Sequence, residues 1–383
     1  MTMKKLFIAT IITTLALALQ VAQAEDLNAS LDSLRRVYAP DSRVAIWEVT
    51  ATQCDDDWTI SGKVDNSYFK SLIIEYSTQA GIQFTDSITA LEGLCSTPWA
   101  LVKLSVASMR TAPRHSAEMA TQAVMGTPLR LLEEVGDWVR AQTPDGYISY
   151  VPANSLTPAS EDRIMQWKNA KRYIVTTYSG TLYEAPGSNA TVSDLVLGDI
   201  LEYQATSGDS LLLITPDGRH GYVPTTDVAD LSLWAMQQFN ADLIESTAKR
   251  MMGSGYLWGG TSTKVTDCSG LAKVCYFANA IILQRDASQQ ALYGLKIPAD
   301  QWQTANTGDL LFFGSASGRV THVGIYLRDG LYIHCSGQVK INSLDPTKPN
   351  YLSTPLLSIS RIDTQIGTAG ITAVREHPWY FNL

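Results

Sequence analysis

The sequence predicts a multidomain chain in which two small all-β barrels precede an α+β domain of helices packed on an antiparallel sheet. Three observations carry this. Thr143-Pro-Asp-Gly-Tyr-Ile-Ser-Tyr-Val-Pro152 recurs 72 residues later as Thr215-Pro-Asp-Gly-Arg-His-Gly-Tyr-Val-Pro224, so one short unit is built twice. Each copy follows a Gly-bounded, alternating apolar run, residues 126–142 and 198–214, the pattern of short strands joined by Pro-Asp-Gly turns. From Leu233 onward the pattern becomes an amphipathic helix, a Gly-rich loop, a second helix and then β-rich runs at Asp309–Gly314, Thr321–Leu327 and Leu331–Gly337.

Taken in order, the elements begin with Lys4 and Lys5, an apolar run from Leu6 to Leu19, and Ala22-Gln23-Ala24. The run is shorter than the roughly 20 residues that span a bilayer, and a small-x-small site follows it. Residues 1–24 therefore read as a signal peptide, and the chain as exported to the periplasm or beyond. No cysteine follows the cut and no later stretch approaches a span, so no stable membrane anchor is expected. Residues 25–100 read as a small α+β region: a helix from Asn28 to Tyr38, extended runs at Val44–Thr52 and Trp58–Val64, a helix at Tyr68–Ala80 and an apolar return at Phe84–Leu91. The barrels occupy 101–160 and 161–232, the second including a polar helical connector from Ser160 to Lys171. The last domain is 233–383.

Composition narrows the function. The 383 residues carry 29 Lys+Arg against 37 Asp+Glu, a formal charge of −8 that becomes −10 without the two leader lysines. Neutralising nucleic-acid phosphates is a poor use of such a chain, and 45% hydrophobic residues exclude disorder. We expect a monomer. Export permits disulfides, yet there are five cysteines, so at least one thiol is free. Cys54 and Cys95 read either as a pair or as two small buried hydrophobes.

The chemistry concentrates in the last domain. In Thr266-Asp-Cys-Ser-Gly-Leu271, Asp267 can cap a helix whose first turn holds Cys268. There the unpaired backbone N–H groups and the positive helix end favour a thiolate. Cys275 is about 10.5 Å further along the axis, beyond disulfide reach, and reads as core. Period-two alternation puts His322, Gly324 and Tyr326 on one strand face and Val323, Ile325 and Leu327 on the other. It puts His334 with Tyr332, and Leu331, Ile333 and inert Cys335 opposite. Two of the chain's five histidines thus share a face on neighbouring strands. His322 could take the Cys268 proton, giving a thiolate–imidazolium pair, and His334 could fix the first ring's tautomer. His115, His220 and His377 lack such company and read as solvated or structural. A zinc site on Cys268, His322 and His334 is the competing reading, but neither CxxC nor HExxH spacing occurs. Thiol catalysis without metal or cofactor is preferred.

These residues carry a resemblance. Gly255-Tyr-Leu-Trp-Gly-Gly260, Asp267-Cys-Ser-Gly270, Arg285-Asp286 followed by Gln290, Gly308-Asp-Leu-Leu-Phe-Phe313, His322-Val-Gly-Ile-Tyr326 and Ile333-His334 resemble, in order and spacing, the NlpC-type cell-wall endopeptidases, papain-like cysteine peptidases of bacteria. The two earlier units resemble bacterial SH3-like modules. The resemblance implies Cys268 as nucleophile, His322 as base, His334 as orienting residue and Tyr256 as an oxyanion donor, with Asp267, Ser269 and Trp258 lining the substrate site.

A subgroup with two SH3-like modules is similar throughout. It implies cleavage of the γ-D-glutamyl to L-diamino acid bond, meso-diaminopimelate or Lys, in murein peptides with a free N-terminal L-Ala. Asp286 and Tyr147 would bind that amino terminus, Tyr147 standing where the second repeat has Arg219. The chain departs from the subgroup at Ala287, where Ser is common, and Glu118 lies two positions from an expected acidic residue and is left unassigned. Two other readings stand beside this one: an endopeptidase acting on cross-linked polymer, and a wall-binding module without catalysis.

Overall fold

The computed structural model describes residues 27–54 and 57–382. Residues 1–24, read above as a signal peptide, lie outside the described residues, and among these no helix is long and apolar enough to cross a membrane. The chain divides into two compact units, one ending at Ser96 and the other starting at Thr97.

The first unit has α1 (Leu27–Tyr38), β1 (Trp47–Cys54), β2 (Asp57–Val64), α2 (Ser67–Gln79) and β3 (Phe84–Ala90). Each matches an element read from periodicity. β2 is central, antiparallel to β1 and parallel to β3. The Asn66 side chain caps α2 by accepting from the Phe69 N–H. Leu31, Ile60, Val64 and Ile73 form its core. Cys95 is buried, while the side chain of Cys54 lies outside what is described.

In the second unit, β4 (Trp99–Val102), β5 (Val106–Arg110), β6 (Met119–Val124), β7 (Pro128–Val135), β8 (Trp138–Gln142), β9 (Ile148–Pro152) and β10 (Leu156–Ala159) form a seven-stranded sheet ordered β10-β4-β7-β8-β9-β5-β6. Helix α3 (Glu161–Asn169), capped by Ser160, leads to a second seven-stranded sheet. Its strands are β11 (Arg172–Val175), β12 (Ser179–Tyr183), β13 (Thr191–Val196), β14 (Ile200–Ser207), β15 (Ser210–Ile214), β16 (His220–Pro224) and β17 (Val228–Asp230). Their order, β17-β11-β14-β15-β16-β12-β13, repeats the first sheet strand for strand. The duplicated turns match as well: Thr143 Oγ1 donates to Asp145 Oδ1 at 2.5 Å and Thr215 Oγ1 to Asp217 Oδ1 at 2.6 Å. Internal repetition in sequence is thus repetition of one topology.

The amphipathic stretch after Leu233 is two helices, α4 (Leu231–Ala235) and α5 (Ala241–Arg250). Asp230 caps the first and Asn240 the second, so local capping ends what periodicity alone reads as one helix. Helix α6 (Cys268–Ala278) runs on to β18 (Ile281–Leu283), which pairs with β25 (Ile371–Ala373). Helix α7 (Ala287–Gln290) follows β18. The main sheet uses β19 (Leu295–Pro298), β20 (Leu310–Gly314), β21 (Val320–Tyr326), β22 (Leu331–Ser336), β23 (Gln338–Ser343) and β24 (Leu356–Arg361), in the order β19-β24-β20-β21-β22-β23. Val323, Ile325, Leu327, Ile333 and Cys335 pack with α6 in one core. Phe313, Tyr326 and Tyr332 lie in another. The alternation read from sequence therefore sets which face meets the cysteine helix.

Candidate active site

Cys268 opens α6, and Asp267 caps it by accepting from the Gly270 N–H at 2.7 Å. The Asp267 carboxylate also accepts from the Gly259 N–H at 2.9 Å, which ties the Gly-rich loop to the helix start. A side chain at Gly270 would meet the Gly260 carbonyl oxygen at 1.9 Å, so only glycine allows this approach. Beneath the loop lies Arg285, 1% exposed. Its Nη2 donates to Asp267 Oδ2 at 2.6 Å, its Nη1 to Ser269 Oγ at 2.9 Å, and its Nε to Thr121 Oγ1 of β6 at 3.0 Å. Burial opposes that charge, but Asp267 first, with Asp286 and Tyr147, more than offsets it and keeps the guanidinium protonated.

The Cys268 thiol is 9% exposed. Burial pushes it up to about 11 and the Asp267 carboxylate adds to the rise, while backbone N–H groups of Val323 and Ser269 pull the other way. Helix-end stabilisation was expected to favour the thiolate. Desolvation and a neighbouring carboxylate act against it and hold the thiol above its ordinary range. His322 is likewise lowered to about 4 by burial first, then by the His334 and Lys340 charges. Burial thus works against charge on both the sulfur and the imidazole.

The two imidazoles meet edge to face. His322 Nε2 lies 2.6 Å from His334 Nδ1, and His334 Nε2 lies 2.8 Å from Asn342 Oδ1. His334 is buried, which lowers its basicity. Gly324 makes room for it: a Cβ there would stand 2.8 Å from the Tyr332 ring and 3.3 Å from the His334 Cβ. Tyr256 is half-buried, its N–H bonded to the Gly337 carbonyl at 2.9 Å. Burial, with nearby Cys268, raises its phenol above the ordinary range, leaving a neutral O–H donor. Trp258 is 60% exposed on the same loop.

The first seven-stranded module reaches this region. The Tyr147 hydroxyl donates to Asp286 Oδ2 at 3.3 Å. Asp145, two residues before it and itself buried, forms an ion pair with Lys273 of α6. Gln122 Oε1 accepts from the Thr261 N–H at 2.9 Å and the Ser262 hydroxyl at 3.0 Å. In the second repeat, Arg219 stands in place of Tyr147. It pairs with Asp217 of its own turn and donates to the Lys103 carbonyl. The same turn therefore serves two different neighbours.

The structure gathers Cys268, His322, His334 and Tyr256, and separately joins Tyr147 to Asp286. Asp267 and Ser269 are 5% and 4% exposed, with their polar atoms engaged inside the protein. Their hydrogen bonds hold the cysteine loop. Glu118 is exposed, and Cys275 and Cys335 are buried. His115 stacks edge-on against Trp138 and His377 bonds the Pro144 carbonyl. Among the described residues no group of three or more His, Cys, Asp or Glu is placed to hold a metal ion. Sequence reading missed the buried role of Arg285 and missed Asn342 altogether. It also missed Lys273, whose signal was available: a lone cation inside the apolar run Leu271–Cys275.

Comparison with known proteins fits this geometry. Residues 253–361 match the model of the NlpC/P60 family, and residues 109–156 match the bacterial dipeptidyl-peptidase Sh3 domain. The chain is 29% identical over 281 residues to dipeptidyl-peptidase 6 of Lysinibacillus sphaericus, covering 69% of this chain and 99% of that one. It is 27% identical over 236 residues to a gamma-D-glutamyl-L-lysine dipeptidyl-peptidase of Bacillus cereus, covering 57% and 68%. In fold it is similar to the crystal structure of an NlpC/P60 family protein from Bacillus cereus, with TM-score 0.59, 23% identity, and coverage of 69% of this chain and 99% of that chain.

Proposed function

We propose that this chain, which carries an NlpC/P60 cysteine peptidase domain behind a bacterial SH3 domain, hydrolyses the γ-D-glutamyl to L-diamino acid bond of murein-derived peptides bearing a free N-terminal L-Ala. Relatives named for dipeptidyl-peptidase activity on this bond support the substrate class. The observation that carries the reading is the Tyr147–Asp286 contact. It links the first module to the loop after β18 and sets a carboxylate where a peptide's ammonium group can be held. The matching strand orders support a second SH3-like barrel within 161–232, and the cysteine helix packed on the main sheet supports a papain-like domain over 233–383. Action on wall fragments fits export to the periplasm or outside.

In this mechanism the Cys268 sulfur attacks the γ-carbonyl carbon as His322 takes the thiol proton. The oxyanion is met by the Tyr256 hydroxyl and by backbone N–H groups at the start of α6. His322 then returns the proton to the leaving α-amine of the diamino acid as the C–N bond breaks. Water, deprotonated by the same imidazole, attacks the thioester and releases the L-Ala-D-Glu dipeptide with the thiol restored. With Tyr147 and Asp286 holding the peptide's amino terminus, an end-on peptide is favoured over a polymer. Trp258, 60% exposed on the Gly-rich loop, offers an apolar face to the substrate.

Binding a free ammonium through Asp286 has a measurable consequence. An N-acetylated peptide offers that carboxylate no ammonium donor, and a hydrogen bond to a charged group is worth about 1.5–3 kcal/mol. Wild-type kcat/KM for L-Ala-γ-D-Glu-L-Lys is expected to exceed that for the acetylated peptide by about 10- to 100-fold, and Asp286→Ala brings the ratio close to one. An unchanged ratio in the variant removes Asp286 from recognition.

A further inference from the structure

We propose that Asn342 is a positioning residue that sets the direction of the two-histidine relay, because its amide can face His334 in one orientation only. The inference rests on the cysteine–histidine chemistry just described. The amide of Asn342 is fixed at its far end: Nδ2 donates to the Asn350 backbone carbonyl at 2.6 Å, and a carbonyl oxygen can only accept. The Asn342 oxygen therefore faces His334 Nε2, and that nitrogen must carry the proton. A neutral His334 then offers a lone pair at Nδ1. His322 Nε2 lies on it and must be the donor. The remaining nitrogen of His322, Nδ1, is left without a proton and is the base.

One amide thus determines which of four imidazole nitrogens is basic. An isolated pair of neutral imidazoles could run the chain the other way, with His334 donating and His322 Nε2 accepting. That arrangement places a proton on His322 Nδ1 and removes the base from the thiol. Asn342 opposes it, since His334 would then turn an unprotonated nitrogen towards an amide oxygen. A carboxylate in the same place would accept the same hydrogen bond but would also favour protonation of the relay. The neutral amide fixes direction without adding charge.

The backbone explains how the amide is held. β22 and β23 pair with His334 opposite Lys340 and Tyr332 opposite Asn342, so Asn342 flanks the ring diagonally from the next strand. The segment after β23 returns through Asn350, whose carbonyl also accepts from the Ser343 N–H at 3.0 Å and whose side chain donates to the Ile341 carbonyl at 3.3 Å. The charges within reach of the imidazoles are Lys340, which disfavours their protonation, and Asp267, which favours that of His322.

Tautomer and turnover are separable measurements. The full chain has five histidines, few enough for ¹⁵N-histidine NMR to report which ring nitrogen of each carries the proton. Wild type is expected to show Nε2–H for both His322 and His334 near neutral pH. Asn342→Leu should mix the His334 tautomers and lower kcat by about 10²-fold, with KM nearly unchanged. Asn342→Asp keeps an oxygen acceptor, so it should retain a single tautomer and most of kcat while moving the acid limb of the pH profile upward. A wild-type His334 protonated at Nδ1 overturns the proposal, as does an Asn342→Leu enzyme with unchanged kcat or a loss confined to KM. If the leucine variant does not fold, the wild-type tautomer and the aspartate variant's kcat and acid limb decide. Should wild type leave the tripeptide uncut, the substrate assignment fails while the tautomer measurement still judges Asn342.

Discussion

Replacement of Cys268 by alanine is expected to lower hydrolysis of L-Ala-γ-D-Glu-L-Lys by about 10⁴-fold or more, with thermal stability close to the parent's. The two outcomes follow from different features of one position. Chemically, no other thiol can substitute: Cys275 is a full two turns further along α6, and Cys335 donates to the Thr266 carbonyl from within the core. Structurally, the helix start is held by Asp267, Gly270 and Arg285 rather than by the sulfur. Losing one small buried atom group costs only its packing. Turnover retained by Cys268→Ala sinks the thiol mechanism. A wild type that binds insoluble sacculi but leaves peptides uncut favours the wall-binding reading instead.

The second large effect is on folding. Arg285→Met removes the cation from a carboxylate that is 5% exposed, and stranding a buried charge in this way costs about 3–5 kcal/mol. The loss extends further, since the same guanidinium holds Ser269 and, through Thr121, a strand of the first module. A lower unfolding temperature and collapsed turnover are both expected. Combining Arg285→Met with Asp267→Asn removes both charges, so the double variant should be less destabilised than the sum of the single changes. Thermal unfolding of the four proteins checks this. An Arg285→Met protein as stable as wild type contradicts the view that the pair anchors the cysteine loop.

Much of this was legible in the chain. The duplicated Thr-Pro-Asp-Gly turns announce a repeated strand order, and alternation in β21 and β22 places His322 and His334 on the face opposite the helix-packing residues. Asp267 before Cys268 reads correctly as a cap because capping is local. What could not be read depends on long-range geometry. Arg285 meets Thr121 across 164 positions and Lys273 meets Asp145 across 128, distances over which no periodicity speaks. Asn342 sits in an unremarked polar strand, and only the pairing of β22 with β23 brings it to His334. The environment of Cys268 is legible only in part for a related reason: a helix end is visible in sequence, whereas the burial that opposes it belongs to the folded site.

The most direct test of the account identifies the broken bond. Wild-type protein is incubated with L-Ala-γ-D-Glu-L-Lys and its N-acetyl form, and the products are read by mass spectrometry. The account predicts the L-Ala-D-Glu dipeptide and free lysine from the first peptide, and little or no product from the second. Release of free L-Ala, equal cleavage of both peptides, or digestion of intact sacculi with the free tripeptide left untouched contradicts it.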